Sequence, residues 1–251
     1  MATYKKKGQK SKREAIEEKS TTAEVFKTLD KSANRTEAWV AKNQRYIFVV
    51  IGVVAVVILG YLGYQRFIQA PNEAEAANEM AQSQTYFSEA LAAPATEKDS
   101  LFNLALNGGE GKYGFVDITE KYSGTDAANL AHYYAGMAYL NTEKYQEAID
   151  QLDDFSSEDE ILAPLAVGAI GDAFMQLEQA EQALTYYEKA ASMRNNTFTA
   201  PKFLLKAAIT AIQLGKGEVA EKHLTKLKEE YPEAPETDKV PVYLGQATAM
   251  K

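Results

Sequence analysis

Residues 129–155 decide the fold, because the chain repeats the pattern of NLAHYYAGMAYLNTEKYQEAIDQLDDF twice more. The later copies are PLAVGAIGDAFMQLEQAEQALTYYEKA (164–190) and PKFLLKAAITAIQLGKGEVAEKHLTKL (201–227), and all three align without internal gaps. The eighth position of each copy carries a small residue, namely Gly136, Gly171 and Ala208. The twentieth position carries another, namely Ala148, Ala183 and Ala220. The chain therefore contains three copies of one structural unit.

The period of this pattern is typical of tetratricopeptide repeats, which are pairs of antiparallel helices. Small residues at the two positions let the helices of one pair cross closely. We therefore predict an all-α fold with a tetratricopeptide-repeat solenoid, its clear repeats at about 129–158, 164–195 and 201–234. Three repeats are the minimum for a stable solenoid. Residues 72–126 are expected to add capping helices or an eroded fourth repeat, and 240–250 a C-terminal cap.

An apolar segment precedes the repeats at residues 46–65, YIFVVIGVVAVVILGYLGYQ, and carries no charge. A helix of this length spans about 30 Å, the hydrocarbon thickness of a bilayer. Tyrosines near both ends and the flanking Arg45 and Arg66 suit the two membrane interfaces. The segment therefore predicts a single transmembrane helix that is not cleaved. After it, we expect Pro71 to interrupt the helical run and Asn72 to cap a new helix.

The distribution of charge predicts the orientation of this anchor. Residues 1–45 have a net charge of +6 and residues 66–251 a net charge of −14, which together make the −8 of the whole chain. The last turns before the anchor are rich in Lys and Arg, whereas residues 66–85 contain only Arg66. The positive-inside rule then places the N-terminus in the cytoplasm and residues 71–251 in the periplasm. Because that larger part is acidic, nucleic acid is not expected as a partner.

The segment before the anchor, residues 1–45, divides into a basic tail and a helix. MATYKKKGQKSK lacks apolar periodicity and predicts a disordered tail. Val25, Phe26 and Leu29 recur on one side of a predicted helix, and Trp39 lies close to the membrane. We expect an amphipathic juxtamembrane helix that either lies on the membrane or pairs with a partner helix.

The sequence offers no constellation for catalysis. It has no cysteine and only two histidines, which excludes thiol chemistry and nearly excludes a histidine-based metal site. GGEGKY at 108–113 lacks a following Ser or Thr and is interpreted as a turn. His132 is interpreted as a packed core residue and His223 as a surface residue. We therefore predict a binding protein without cofactor, metal or enzymatic activity.

The repeat pattern also predicts a binding surface. In tetratricopeptide folds, positions 2, 5, 9 and 12 of each first helix line the concave groove. Here they are Leu130, Tyr133, Met137 and Leu140, then Leu165, Gly168, Asp172 and Met175, then Lys202, Leu205, Ile209 and Ile212. The nine large apolar members of this set form the predicted partner-binding groove. An alternative occupant of the groove is the chain's own tail, residues 240–244.

The order of basic segment, anchor and acidic repeats resembles the YfgM family of ancillary SecYEG translocon subunits, in its Bacteroidetes-type form. The most similar stretches are GFVDITEKYSGTDAANLAHYYAGMAYLNTEKYQEAIDQLDDF (114–155), STTAEVFKTLD (20–30) and EAWVAKNQRY (37–46). The resemblance implies an inner-membrane protein whose periplasmic domain works beside SecY and the chaperone PpiD. Its implied clients are newly translocated, unfolded secretory proteins.

A second hypothesis keeps the same architecture but changes the partner. The chain would then be a tetratricopeptide scaffold of another envelope machine, for outer-membrane assembly, secretion or cell division. The sequence leaves the direct partner, the clients and the oligomeric state open.

Overall fold

The computed structural model describes residues 21–250, and every regular element in that range is helical. The all-α prediction is therefore confirmed for this range. The chain divides into two compact units, Met1–Arg66 and Phe67–Lys251. The predicted basic tail lies outside the described residues.

Helix α1, Thr21–Tyr64, is the first element. Eleven further elements follow it. They are a π-helix at Gln65–Gln69, α2 Ala70–Ala92, α3 Ala95–Asn107, α4 Phe115–Lys121, α5 Asp126–Asn141, α6 Tyr145–Asp154, α7 Leu162–Gln176, α8 Ala180–Met193, α9 Thr199–Gln213, α10 Gly217–Glu230 and α11 Val240–Thr248, the last preceded by a 3₁₀-helix at Pro235–Lys239.

Within residues 21–250, one helical run is long and apolar enough to cross a membrane. An 18-residue window of it has a mean hydropathy of 2.6, and none of that window is buried. Its apolar side chains, such as Val56 and Leu59, are about 70% exposed in the protein alone. The helix that contains the predicted anchor begins far upstream of it, at Thr21.

The expected interruption at Pro71 is wrong. Pro71 lies in the first turn of α2, and no side chain caps this helix. The five residues before it form a π-helix instead. Proline lacks an N–H group, and its ring clashes with the carbonyl group four residues earlier. A wider π-turn relieves that conflict without ending the helical run.

The three repeated segments form three helical hairpins: α5–α6, α7–α8 and α9–α10. Each hairpin turns within three residues, and the middle residue of the turn has a positive φ. These residues are Glu143 at 62°, Glu178 at 60° and Gly215 at 72°. The next residue donates its N–H to a carbonyl five positions back, at 2.9, 2.9 and 2.8 Å respectively. All three hairpins thus end their first helix with the same left-handed cap.

The small residues lie where the helices of each hairpin approach most closely. A Cβ on Gly136 would lie 2.4 Å from Leu152 Cγ, and one on Gly171 would lie 2.7 Å from Tyr187 Cε1. Ala148, Ala183 and Ala220 are fully buried. The predicted close approach at these positions is confirmed.

Helices at both ends of the hairpin series bury its terminal surfaces. The Glu73 carboxylate of α2 accepts hydrogen bonds from the N–H groups of Asp126 and Ala127, at 2.7 and 2.8 Å, and so caps α5. At the other end, α11 packs against α10, and Ala247 is fully buried. A Cβ on Gly217 of α10 would lie 2.6 Å from the Ala247 carbonyl oxygen, which shows how closely α11 approaches.

Candidate functional site

The largest cavity lies among the three hairpins and has a volume of about 680 Å³. The first helices of the hairpins supply its apolar lining, Leu140 from α5, Met175 from α7 and Ile209 from α9. Its remaining lining residues are Glu143, Tyr145, Asp172, Gln176, Tyr187, Lys206, Thr210 and Gln213. The cavity therefore combines apolar side chains with a polar centre.

Asp172 is the centre of the polar part. One of its carboxylate oxygens, Oδ1, accepts a hydrogen bond from the Tyr187 hydroxyl at 2.6 Å. The same oxygen lies 2.5 Å from the Lys206 ammonium nitrogen. Asp172 and Lys206 side chains are 35% and 32% exposed, so water screens their attraction. The pair therefore contributes little to stability and remains accessible from the cavity.

Tyr187 positions the Asp172 carboxylate. Its ring is buried, with 4% exposed. Burial, and then the adjacent Asp172 carboxylate, raises the pKa of the Tyr187 hydroxyl well above its usual value. Tyr187 consequently keeps its proton and acts as a hydrogen-bond donor. Lys206 also lies over the Tyr187 ring, 5.4 Å from its centroid, which favours the position of the ammonium group.

The structure brings only some of the predicted groove residues to this cavity. Of the twelve, Leu140, Asp172, Met175 and Ile209 line it. The nine apolar members are also more buried than an exposed groove requires. Leu205 is buried in the core, and the rest are half-buried against neighbouring clusters: Leu130, Tyr133, Met137, Leu140, Leu165, Met175, Ile209 and Ile212.

Gly168 has a packing role that the groove prediction missed. A Cβ at this position would lie 1.9 Å from Phe203 Cε1, so α7 and α9 approach each other directly over Gly168. Lys206 and Tyr187 were also missed. Asp172 was assigned to the groove, but its ion pair with a residue 34 positions later was not foreseen.

The C-terminal tail does not occupy the cavity. Tyr243 and Leu244 are half-buried against the core formed by α8, α9 and α10. No residue of 240–250 is among those that line the cavity. The interpretation that the tail fills this part of the groove is therefore wrong, because α11 uses its apolar side chains to cover the end of the hairpin series.

The two histidines lie away from this cavity and have structural partners. His132 is half-buried, and its Nδ1 lies 2.9 Å from Gln151 Oε1. His223 is 9% exposed, and its Nε2 lies 2.8 Å from Glu188 Oε1. The prediction that His223 is a surface residue is wrong. It follows Ala220 by three positions and therefore shares the packed face of α10.

Comparisons with known proteins return nothing for this chain. No protein-family model matches it, and no curated protein or solved structure is similar enough to count as a match.

Proposed function

We propose that the chain is a membrane-anchored tetratricopeptide-repeat protein that acts by binding other proteins and not by catalysis. Support for the repeat assignment comes from the separations of 35 and 37 residues between Gly136, Gly171 and Ala208. The shared left-handed cap at Glu143, Glu178 and Gly215 adds to it. Support for the anchor comes from the uncharged segment 46–65 within α1.

The proposed location is the inner membrane, with the N-terminus in the cytoplasm and residues 71–251 in the periplasm. The net charges of +6 before the anchor and −14 after it favour this orientation. Because α1 runs without a proline or a π-turn from Thr21 to Tyr64, residues 21–45 have no break at which to turn onto a membrane surface. This favours pairing with a partner helix over lying on the lipid.

The proposed partners are the SecYEG translocon and a PpiD-like periplasmic chaperone, with newly translocated proteins as clients. The resemblance of residues 114–155, 20–30 and 37–46 to the YfgM family supports this choice. A scaffold role in another envelope machine remains the second candidate, because it would use the same anchor and the same kind of hairpins.

The cavity is the single observation that carries the binding role. Leu140, Met175 and Ile209 come from three successive hairpins and line one space of about 680 Å³. A site built across several repeats suits an elongated ligand, such as a segment of another protein. The methionine adds an adaptable contact.

The test replaces two of these side chains in the full-length protein. Met175→Gln with Ile209→Gln is expected to abolish co-purification of SecY and PpiD from native membranes in mild detergent. The matched control is Val242→Gln, at an apolar residue of α11 that is 63% exposed and outside the cavity. Circular dichroism reports whether each variant keeps its helices.

Two results would contradict the proposal. Normal recovery of both partners by the folded double variant would exclude the cavity as their site. Recovery of components of a different envelope machine by the unaltered protein, without SecY or PpiD, would favour the scaffold hypothesis instead.

A further inference from the structure

The charges that line the cavity are unusual for a site that binds a chain end. They are two carboxylates, Glu143 and Asp172, and one ammonium group, Lys206. The ammonium group is already held by Asp172 at 2.5 Å. A ligand carboxylate would have to compete with Asp172 for Lys206 and would be repelled by Glu143. The cavity therefore disfavours a free carboxyl terminus.

The same pair retains hydrogen-bonding capacity. A carboxylate offers about four lone-pair sites, and Asp172 uses Oδ1 for both Tyr187 and Lys206. An ammonium group has three N–H donors, so Lys206 keeps donors beyond the one directed at Asp172. Side by side, an acceptor on Asp172 and a donor on Lys206 complement the N–H and C=O groups of a peptide main chain.

The apolar lining stands beside this polar pair. Leu140, Met175 and Ile209 are half-buried, so each still presents part of its side chain to the cavity. Burial of an aliphatic ligand side chain there would add the hydrophobic component of binding. The lining thus suits a segment with apolar side chains and no acidic ones.

We propose that the cavity binds an internal, extended peptide segment through its main chain, and that the Asp172–Lys206 pair selects against a free carboxyl terminus. The inference rests on the proposed function, since it specifies the ligand of the same site. Tyr187 is a positioning residue in this account, because it holds the carboxylate but does not contact the peptide.

The test uses two probe peptides that differ at one end only. Both have the sequence acetyl-Ser-Gln-Leu-Ala-Leu with an amino-terminal fluorophore in place of the acetyl group; one ends in an amide and the other in a free carboxylate. Their binding to the full-length protein in detergent micelles is followed by fluorescence anisotropy at low salt. The amide form is expected to bind about tenfold more tightly, a typical scale for repulsion by a nearby like charge.

Asp172→Asn provides the sharper result. The variant keeps the shape of the side chain but frees the Lys206 ammonium group, so the preference is expected to reverse in favour of the free carboxylate. A merely structural role of Asp172 would weaken both peptides equally. Glu181→Gln is the matched control, since it removes the carboxylate partner of Lys216, also at 2.5 Å, outside the cavity, and should leave the preference unchanged.

The outcomes separate the inference from the function on which it rests. If both peptides bind the unaltered protein equally and Asp172→Asn changes nothing, the selectivity is wrong while the cavity remains a binding site. If neither peptide binds any of these proteins, the inference fails, whereas the proposed function is still decided by co-purification of SecY and PpiD.

Discussion

At the scale of the residue, the hairpin turns contain a correctable strain. Glu143 and Glu178 adopt a positive φ that the third turn assigns to a glycine, Gly215. The left-handed conformation brings the Cβ of an ordinary residue close to its own carbonyl oxygen, at a cost of roughly 1–2 kcal/mol. The surrounding cap hydrogen bonds, such as that from Gln179 N to Phe174 O at 2.9 Å, hold the conformation despite that cost.

Glu178→Gly is therefore expected to stabilise the protein. The gain should be about 0.5–1 kcal/mol, because the removed strain exceeds the extra entropy that glycine loses on folding. Gln182→Gly is the control, at an exposed position inside α8, where glycine should cost about 1 kcal/mol. Thermal unfolding of the full-length protein in detergent, followed by circular dichroism, measures both. A lower melting temperature for Glu178→Gly would contradict the assignment of strain.

The sequence predicted this level of structure only where a residue repeats. Gly136 and Gly171 identify a close approach because their copies recur at a fixed period. The polar centre could not be found in this way, because Asp172, Tyr187 and Lys206 occupy three different positions of the repeat. The available signal was a pair of opposite charges 34 residues apart, close to the repeat period, on two otherwise apolar helices.

At the scale of the element, Gly168 controls how closely α7 approaches α9. Gly168→Ala is expected to destabilise the protein by about 1–3 kcal/mol, because the added methyl group would overlap the Phe203 ring. Phe203→Leu in the same chain should recover part of the loss, since the shorter side chain leaves room for it. The measurement is again the thermal unfolding of the full-length protein.

Gly245→Ala is the matched control for this prediction. A Cβ at Gly245 would meet nothing within 4 Å, and the residue lies inside helix α11. The change should therefore be neutral or slightly stabilising. Equal effects of the two alanine substitutions would show that the approach of α7 to α9 is not as close as described.

The elements themselves differ in how well the sequence predicted them. The hairpin helices follow from the small residues and from the turns between them. The link between α1 and α2 does not, because a proline usually ends a helix, whereas here a five-residue π-helix accommodates it. The tail was also misplaced. Its apolar side chains suit any uncovered surface, and the sequence alone does not distinguish the groove from the end of the series.

At the scale of the whole molecule, the orientation in the membrane is the first prediction. Single cysteines are introduced at Ser11 and Glu181, since the chain has none of its own. In intact spheroplasts, a membrane-impermeant maleimide is expected to label the Glu181 site and to spare the Ser11 site until the membrane is opened. Labelling of Ser11 with protection of Glu181 would reverse the proposed orientation.

The central claim is that the cavity among the three hairpins contacts the translocon or its chaperone. Gln213 lines the cavity and is exposed, so a photo-reactive benzoyl-phenylalanine can replace it without disturbing the core. Gln246, exposed on α11 and outside the cavity, is the matched position. On irradiation of native membranes, the account predicts adducts with PpiD or SecY from the Gln213 position and not from Gln246. The absence of any such adduct from Gln213, or the same adducts from both positions, would contradict it.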